Sequence, residues 1–536
     1  MARSGLQSMS RNKWLLLGIV VLAVGLRLVQ FGSNPPSLYW EEVALGYDAY
    51  SLLITGKDHH GHTLPLVALE SFGDWKPPLY TYAIMPFIPL FGLSAIAVRL
   101  PSLLAGLSML FAVYLLAKKM QQNPLIVVSV TAISPWAIQF SRVGWEAHLA
   151  TAFMTWGLYF GVMAVESDKK FHLKKFATAI FFLVISLYTY HAARIVAPLL
   201  GLGIVWFIAT TLRSGKIIFA KWRQLLLVAS VTVLLILPIL LKASSPEILQ
   251  RSRETSIFSD ISIITTSNQL REAADNSLIS RLVYHRYLLF AQEIAKNFLA
   301  HFSPQYLFLS GDAQVRHSVQ FFGHLYHVEI IFVCLGFFIW IRKRTNLHWL
   351  LLFTGLLAVL PAAISTGAPH ALRSMMIFPI FMLLVAEGIQ QLVKHFTPHK
   401  LVKHLVISVV ICIYLLELRA FWLYYSTLYP KVSAHEWQSG YAEMVKLVEQ
   451  TRQAYPDVPI YISRAAGRPA MYYWFFSKTD PRVVQAQNSL VRKDQGEYLE
   501  FNNLYFYNSA SDVPENLSMI VATPDTKQNS WIIEVR

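Results

Sequence analysis

Acids and bases able to do proton chemistry gather in one stretch, residues 39–78, which reads YWEEVALGYDAYSLLITGKDHHGHTLPLVALESFGDWKPP. Glu41 and Glu42 are adjacent and follow an aromatic pair, while Asp74 and Lys76 close the stretch before a double proline. A carboxylate in such a place either favours the positive end of a helix beginning near Val43 or takes a proton from a hydroxyl as a general base. Neighbouring side chains cannot face one point on a helix or an extended chain, so one of the two glutamates is expected to enter a cavity and the other to cap or brace. A further acid, Glu146 in SPWAIQFSRVGWEAHLA, stands where an apolar run begins and has the same two readings. Arg373 in PHALRS can bind a phosphate at two points through its planar guanidinium or anchor a helix end at a membrane interface. His191 and Arg194 in YTYHAAR are a pair of the same kind. Asp58, His59, His60 and His62 have the side-chain types of metal ligands, yet their close spacing fits a solvated turn, and no metal site is assigned to them.

The elements that must position these groups are set by composition. Of 536 residues, 55% are hydrophobic and 14% charged, with a mean hydropathy of +0.44; these values lie outside soluble globular proteins and indicate a polytopic membrane protein. The net charge of +15 sits in short clusters between apolar runs, the pattern of cytoplasmic loops, so nucleic acid is not an expected partner. Cys334 and Cys412 each fall inside an apolar run, where a thiol packs as a small hydrophobic group, and no disulfide framework is implied.

The first apolar run, 14–30, follows Arg3, Arg11 and Lys13 and lacks a small-residue cleavage site; it reads as a retained span with a cytoplasmic N-terminus. Arg27, near its outer end, is expected to snorkel to the interface or to meet a lipid phosphate. Further runs occupy 79–93, 100–117, 125–139, 148–165, 176–190, 195–212, 225–241, 328–341, 347–364, 375–393 and 401–418. A span needs about 20 apolar residues. The run 79–93 is shorter and holds Pro86 and Pro89, so it is expected to lie in the outer interface. With it omitted, the positive-inside rule puts the clusters at 118–119, 169–175, 213–223, 342–344 and 394–403 in the cytoplasm. The expected fold is therefore α-helical with about 11 transmembrane helices. Residues 1–418 form the membrane domain, with external loops at 31–99 and 242–327, and 419–536 form an extracytoplasmic domain.

Within the long loop, Leu278, Leu282, Leu289 and Ile294 recur near helical spacing, which predicts an interfacial helix. The tail combines a helix-like segment, 437–455, with β-prone runs at 458–463, 498–507, 519–522 and 531–535, which predicts a small α/β domain. Tyr472, Tyr473, Trp474 and Phe475 could touch a sugar, but a packed core suits that composition better.

Three strings, WEEVALGYDAYSLLITGKD, SFGDWKPPLYTY and FGLSAIAVRLPS, resemble the N-terminal part of bacterial glycosyltransferases related to the dolichyl-phosphate-mannose protein mannosyltransferases. The aminoarabinose transferases share that glycosyltransferase-C superfold. In the family an acidic pair, usually Asp-Glu, follows the first span, and its first member is the catalytic carboxylate. The resemblance puts that role on Glu41, with Glu in place of Asp. It makes Glu42 and Asp74 supporting acids, Glu146 a second functional carboxylate where the family usually has Asp, and Lys76 a contact to the donor phosphate. The loop reading SPQYLFLSGDAQVRHSVQFFGHLYHVE resembles one that precedes a late span in these transferases, which makes Asp312, Arg316 and His324 weaker candidates.

The resemblance implies transfer of a hexose or pentose from a polyprenyl-phosphate donor to a lipid, glycan or protein acceptor outside the plasma membrane, with inversion. Such transfer needs a base for the acceptor hydroxyl and cations for the leaving phosphate. It needs no nucleotide fold and no cofactor; a divalent cation is compatible but not expected to be essential. The chain has no Walker loop, dinucleotide fingerprint or HExxH string. A secondary transporter or lipid flippase is the alternative, but transporters show internal repeats and mid-membrane charges, whereas here the suspect charges collect on one expected face.

Cysteines introduced singly test the topology. Cysteine at Asp312 or Trp437 is expected to react with an impermeant thiol reagent in intact cells, and cysteine at Lys170, Lys216 or Lys343 to react only after permeabilisation. Labelling of Lys216→Cys without labelling from the C-terminal region would invert the topology.

Overall fold

Helices and closed barrels are the forms in which a segment satisfies its own backbone groups within hydrocarbon, and the apolar runs of this chain fold as helices. The computed structural model describes residues 2–165, 170–212, 220–487, 492–493, 497–514, 518–525 and 530–535. Six of the described helices are long and apolar enough to cross a bilayer: Ala95–Lys119, Ala193–Leu212, Trp222–Leu241, Asn346–Ala363, Ile377–His395 and Lys400–Val432. Trp222–Leu241 leaves Leu226, Leu227, Val233, Leu234 and Leu241 exposed, the all-round apolar surface of a helix solvated by lipid. The chain is thus a polytopic helical membrane protein.

Other apolar runs form the helices Ala2–Leu28, Glu146–Met163, Leu173–Leu187 and Glu329–Lys343. The run 125–139 is broken, with Pro124–Ile133 ending before Ser134 and Pro135–Phe140 following. The run 79–93 is three short pieces, Leu79–Ile84, Met85–Phe87 and Ile88–Phe91, as its prolines remove backbone donors. Of the basic clusters, residues 169 and 213–219 lie outside the described residues, Lys216 among them.

The chain divides into two compact units: Met1–Leu26 with Ala105–Gln139 and Ala147–Phe421, and Arg27–Leu104 with Phe140–Glu146 and Trp422–Arg536. In the first, Glu329–Lys343 and Ile377–His395 pack backbone to backbone through Gly336 and Gly388, where an added Cβ would strike the partner helix's main chain; small residues allow this approach between membrane helices. The amphipathic stretch expected at 277–302 is two helices, Leu278–Val283 and Arg286–Ala300.

The second unit opens with the helix Trp40–Thr55 and a hairpin of Leu69–Ser71 against Asp74–Lys76, in register Leu69 to Lys76 and Ser71 to Asp74. Phe72 and Gly73 turn it with φ of 55° and 75°, the two positive values of a tight hairpin turn. Its C-terminal part contains the helix Tyr441–Ala454 and a five-stranded sheet. There Ile460–Ser463 lies between Leu504–Tyr507 and Ile520–Asp525, parallel to both, and the antiparallel strands Glu500–Phe501 and Ser530–Val535 flank them. These are the strands that the β-prone runs predict.

Helix Pro469–Ser477 carries the Tyr-Tyr-Trp-Phe string inward: Tyr472, Tyr473, Trp474 and Phe475 are at most 3% exposed and form core, not a sugar-binding surface. It packs on Trp40–Thr55, where Tyr472 Oη donates to Leu38 O at 2.9 Å and Tyr47 Oη donates to Thr479 O at 2.9 Å. Trp437 and Asp312 are both enclosed, so exposed Lys446 and Ala313 are the better labelling positions.

Gly46 sits at this crossing: a Cβ there would meet Val98 Cγ2 at 2.6 Å and Phe475 Cε2 at 2.7 Å. Gly46→Val is expected to cost about 1 to 3 kcal/mol through overpacking, read as a lower melting temperature of the detergent-purified protein. An unchanged melting temperature would mean that the two helices are not in this contact.

Candidate active site

Arg99 stands in an apolar helix of the second unit and is fully buried, a position that demands a charged partner. Glu42, in the first turn of Trp40–Thr55, supplies it: Arg99 Nε donates to Glu42 Oε1 at 2.9 Å and Nη2 to Oε2 at 3.1 Å. Two backbone donors complete the carboxylate, Gly144 N–H to Oε1 at 2.8 Å and Tyr39 N–H to Oε2 at 3.3 Å. Arg99 uses its remaining donors on Pro35 O at 3.0 Å and Ser37 O at 2.5 Å. A side chain at Gly144 would press on Glu42, whose Cγ and Oε1 lie 3.3 Å from its Cβ position. Glu42 is therefore saturated with donors on both oxygens.

Glu41 has the opposite setting. Its side chain is 30% exposed, and Oε2 lies 2.8 Å from Lys76 Nζ, with Tyr39 Oη donating to the same oxygen at 3.3 Å. The hairpin delivers Lys76, whose side chain is 7% exposed. Its ammonium is buried and makes no well-directed hydrogen bond among the described residues; the Glu41 contact is one of charge. Asp74 begins the same strand, and its Oδ1 accepts from Trp75 N–H at 2.9 Å.

Residues 140–146 are held close by. Arg142 donates from Nε and Nη2 to Asn34 O at 3.2 and 3.0 Å, and from Nη1 to Arg27 O at 3.1 Å. Arg27 corrects an expectation: instead of snorkelling it is 1% exposed and donates from Nε to Ser141 Oγ at 3.1 Å. Glu146 ends the segment, buried at the first residue of its helix. Sequence reasoning missed Arg99, Arg142 and Gly144; an arginine inside the apolar string AIAVRLPS is the signal that could have found the first of them.

The histidine-rich turn is only partly solvated: His62 is exposed, whereas Asp58 and His59 are enclosed. His59 Nδ1 lies 2.6 Å from Asp48 Oδ1 and His62 Nδ1 lies 2.9 Å from Asp58 Oδ2, while Tyr498 Oη is 3.1 Å from His60 Nδ1. Asp48, Asp58 and His59 are buried. Each imidazole already has a partner within the second unit.

Arg194, His191 and Arg373 belong to the first unit. Arg194 Nε donates to Leu187 O at 3.2 Å, and His191 is half-buried in the preceding turn. Arg373 Nη1 donates to Ser365 Oγ at 2.6 Å and Thr366 O at 2.8 Å, closing its own loop. Asp312 is buried and accepts from Ala371 N–H at 2.7 Å, with His317 Nδ1 3.0 Å away; these donors, with His370 nearby, hold its carboxyl well below the usual range against the upward push of burial. Arg316 is half-buried, and its carbonyl accepts from Gln139 Nε2 at 2.8 Å. His324 stacks on Trp136 at 4.3 Å and meets Tyr306 edge-on at 4.6 Å. His317 and His370 were not singled out from sequence.

No protein-family model matches this sequence, and no curated protein matches it. Solved structures are similar to it in fold. ArnT from Cupriavidus metallidurans in the apo state superposes with a TM-score of 0.55 at 12% identity, covering 97% of this chain and 94% of that one. The same protein bound to undecaprenyl phosphate gives 0.51 at 12% identity, with 96% and 94% covered. The archaeal oligosaccharyltransferase AglB from Archaeoglobus fulgidus, in complex with an inhibitory peptide and a dolichol-phosphate, gives 0.50 at 11% identity, with 87% of this chain and 64% of that chain covered. The chain has the glycosyltransferase-C fold that its N-terminal strings resemble.

Burial drives the His324 imidazole down to about 3 and lowers His301 as well. His324 stays neutral in the folded protein while in the unfolded chain it binds a proton below about 6.5. Its stabilisation is thus present above that pH and is lost as pH falls toward 3. Each proton contributes about 1.4 kcal/mol per pH unit. The melting temperature is expected to fall between pH 7 and 5, and His324→Phe to flatten that fall. An identical pH slope in the variant would exclude His324 as its source.

Proposed function

We propose that this chain is an integral membrane glycosyltransferase that moves a sugar from a polyprenyl-phosphate donor to an acceptor on the extracytoplasmic side, inverting the anomeric centre, with Glu41 as general base. One observation carries the reading: of two adjacent carboxylates, Glu42 has all its capacity taken by buried donors, whereas Glu41 is part-exposed against an enclosed ammonium that makes no hydrogen bond among the described residues. An ammonium has three donors, and a phosphate oxygen would complete the set. The lipid phosphates carried by two of the similar structures, undecaprenyl phosphate and dolichol-phosphate, support a donor of that class, and an acceptor peptide tethered to AglB supports an acceptor of lipid, glycan or protein kind.

In this mechanism the acceptor hydroxyl oxygen attacks the anomeric carbon as the bond from that carbon to the phosphate oxygen breaks. The electron pair leaves with the lipid phosphate. Glu41 takes the hydroxyl proton, and Lys76 leaves Glu41 to neutralise the charge growing on the phosphate, the preorganised stabilisation on which such transfers rest. A single displacement inverts the centre. Asp74 and Glu146 support the base, and Glu42 braces it. The chemistry uses no nucleotide or redox cofactor. The reading places the chain in the plasma membrane with many passes, a cytoplasmic N-terminus and residues 419–536 outside.

Turnover of a panel of polyprenyl-phosphate sugars, followed by release of lipid phosphate, tests the assignment. Glu41→Gln is expected to lose about 10² to 10⁴ in rate while still binding donor. Lys76→Ala is expected to weaken donor use by about 1.5 to 3 kcal/mol with little change in melting temperature. Glu42→Gln is expected to lower stability first, because it leaves Arg99 buried without its countercharge. Full turnover in Glu41→Gln would remove it as the base.

A further inference from the structure

In the first unit, two segments far apart in sequence bring three side chains to one point. Asp312, His317 and His370 each offer one ligand atom, and these atoms lie within 4.8 Å of one another. Asp312 and His317 are buried and His370 is half-buried. Asp312 Oδ2 and His317 Nδ1 are 3.0 Å apart, and the two imidazole rings are 4.8 Å apart at 41°.

The surroundings hold these residues in place. Asp312 Oδ1 accepts from Gln314 N–H at 2.9 Å and Oδ2 from Ala371 N–H at 2.7 Å. Its carbonyl accepts from Ser318 Oγ at 3.0 Å and Gln320 Nε2 at 2.7 Å. His370 is fixed through its backbone, whose N–H donates to His301 Nε2 at 3.0 Å, and His301 Nδ1 in turn lies 2.8 Å from Asn297 O. The last contact makes Nδ1 of His301 the protonated nitrogen and Nε2 the acceptor. Secondary bonds that orient the first ligands are a regular feature of metal sites.

We infer that Asp312, His317 and His370 form a site for one divalent transition-metal ion of the zinc class. Zinc takes imidazole nitrogen and carboxylate oxygen at about 2.0 to 2.2 Å, which sets tetrahedral ligand atoms about 3.3 Å apart. The Asp312 to His317 separation is within a few tenths of an ångström of that spacing, and a small inward movement of the His370 ring completes the set. One oxygen and two nitrogens suit zinc and its neighbours better than calcium or magnesium, which prefer all-oxygen shells. Three protein ligands leave one coordination position open. An Asp–His hydrogen bond accounts for the first two residues but not for the second imidazole brought to the same point. The inference does not depend on the proposed chemistry at Glu41.

The test uses the full chain, purified in detergent with a tag free of histidine, stripped with chelator and titrated with Zn²⁺ against a fluorescent zinc indicator, with bound metal counted by mass spectrometry. The expected result is one retained zinc per chain, with affinity at least tenfold weaker in Asp312→Asn, His317→Ala and His370→Gln and unchanged in His62→Ala. Co²⁺ in place of zinc is expected to give the visible absorption of a tetrahedral site, lost in His370→Gln. Should Asp312→Asn fail to fold, His370→Gln decides, because its backbone bond to His301 survives the substitution. Retention of no zinc by the parent protein, or parent affinity in His370→Gln, would overturn the inference.

Discussion

The second unit depends on a buried charge pair, Glu42 with Arg99. Each side chain is fully enclosed, so neither has water to fall back on, and the remaining lone pairs and protons must find protein partners. They do: Gly144 and Tyr39 give backbone N–H groups to the carboxylate, and Pro35 and Ser37 give carbonyls to the guanidinium. Three separate pieces of chain, residues 35–39 with the Trp40–Thr55 helix they lead into, the start of Ala95–Lys119 and the loop at 140–146, are thereby fixed to one point. A buried pair need not add net stability over apolar packing, but removing one member leaves a naked charge and costs about 3 to 5 kcal/mol. The pair therefore acts as a register pin for that unit.

From the pin the rest of the arrangement follows by geometry. Successive residues of a helix are rotated by about 100°, so once Glu42 points inward at Arg99, Glu41 is carried to the side that is part-exposed. There it meets the hairpin, whose two-residue turn at Phe72 and Gly73 sets which residue of the return strand lies opposite Leu69. That residue is Lys76. A register slip of one position would exchange its face with that of Trp75 and leave the carboxylate without its cation. The double proline directly after Lys76 stops the strand and begins the next helix, so the lysine stands at the strand's fixed end and not in a free loop.

Much of the fold was legible because it rests on composition and period. The apolar runs give helices, the prolines at 86 and 89 break one of them, and the β-prone runs of the tail give strands where expected. The grouping of the second unit was not legible, since it depends on contacts such as Gly46 with Phe475 whose sequence separation exceeds 400 residues. Among the candidate residues, the adjacent glutamates were visible as a motif, and the rule that neighbours diverge anticipated one brace. Which of them braces depended on Arg99, and a long-range ion pair leaves no periodic trace. Arg27 was misread for the same reason: charge near a helix end suggested the interface, while its actual partner, Ser141, is polar, uncharged and distant in sequence. His317 and His370 were passed over because neither stands in a spaced motif; Asp312 unites them only in three dimensions.

The Glu41 to Lys76 contact also bears on when a base is available. The Glu41 carboxylate oxygen that lies 2.8 Å from the Lys76 ammonium is engaged by that contact. A phosphate, with more charge and several acceptor oxygens, is the stronger partner for an ammonium whose other donors are unmatched. Under the proposed reading, arrival of the donor takes Lys76 from Glu41 and releases the carboxylate oxygen at the moment an acceptor hydroxyl can use it. Donor and base are then coupled through one lysine. This accounts for a cation held so near a proposed base, and it requires the saturated neighbour Glu42, since a second unmatched carboxylate one residue away would compete for the same ammonium.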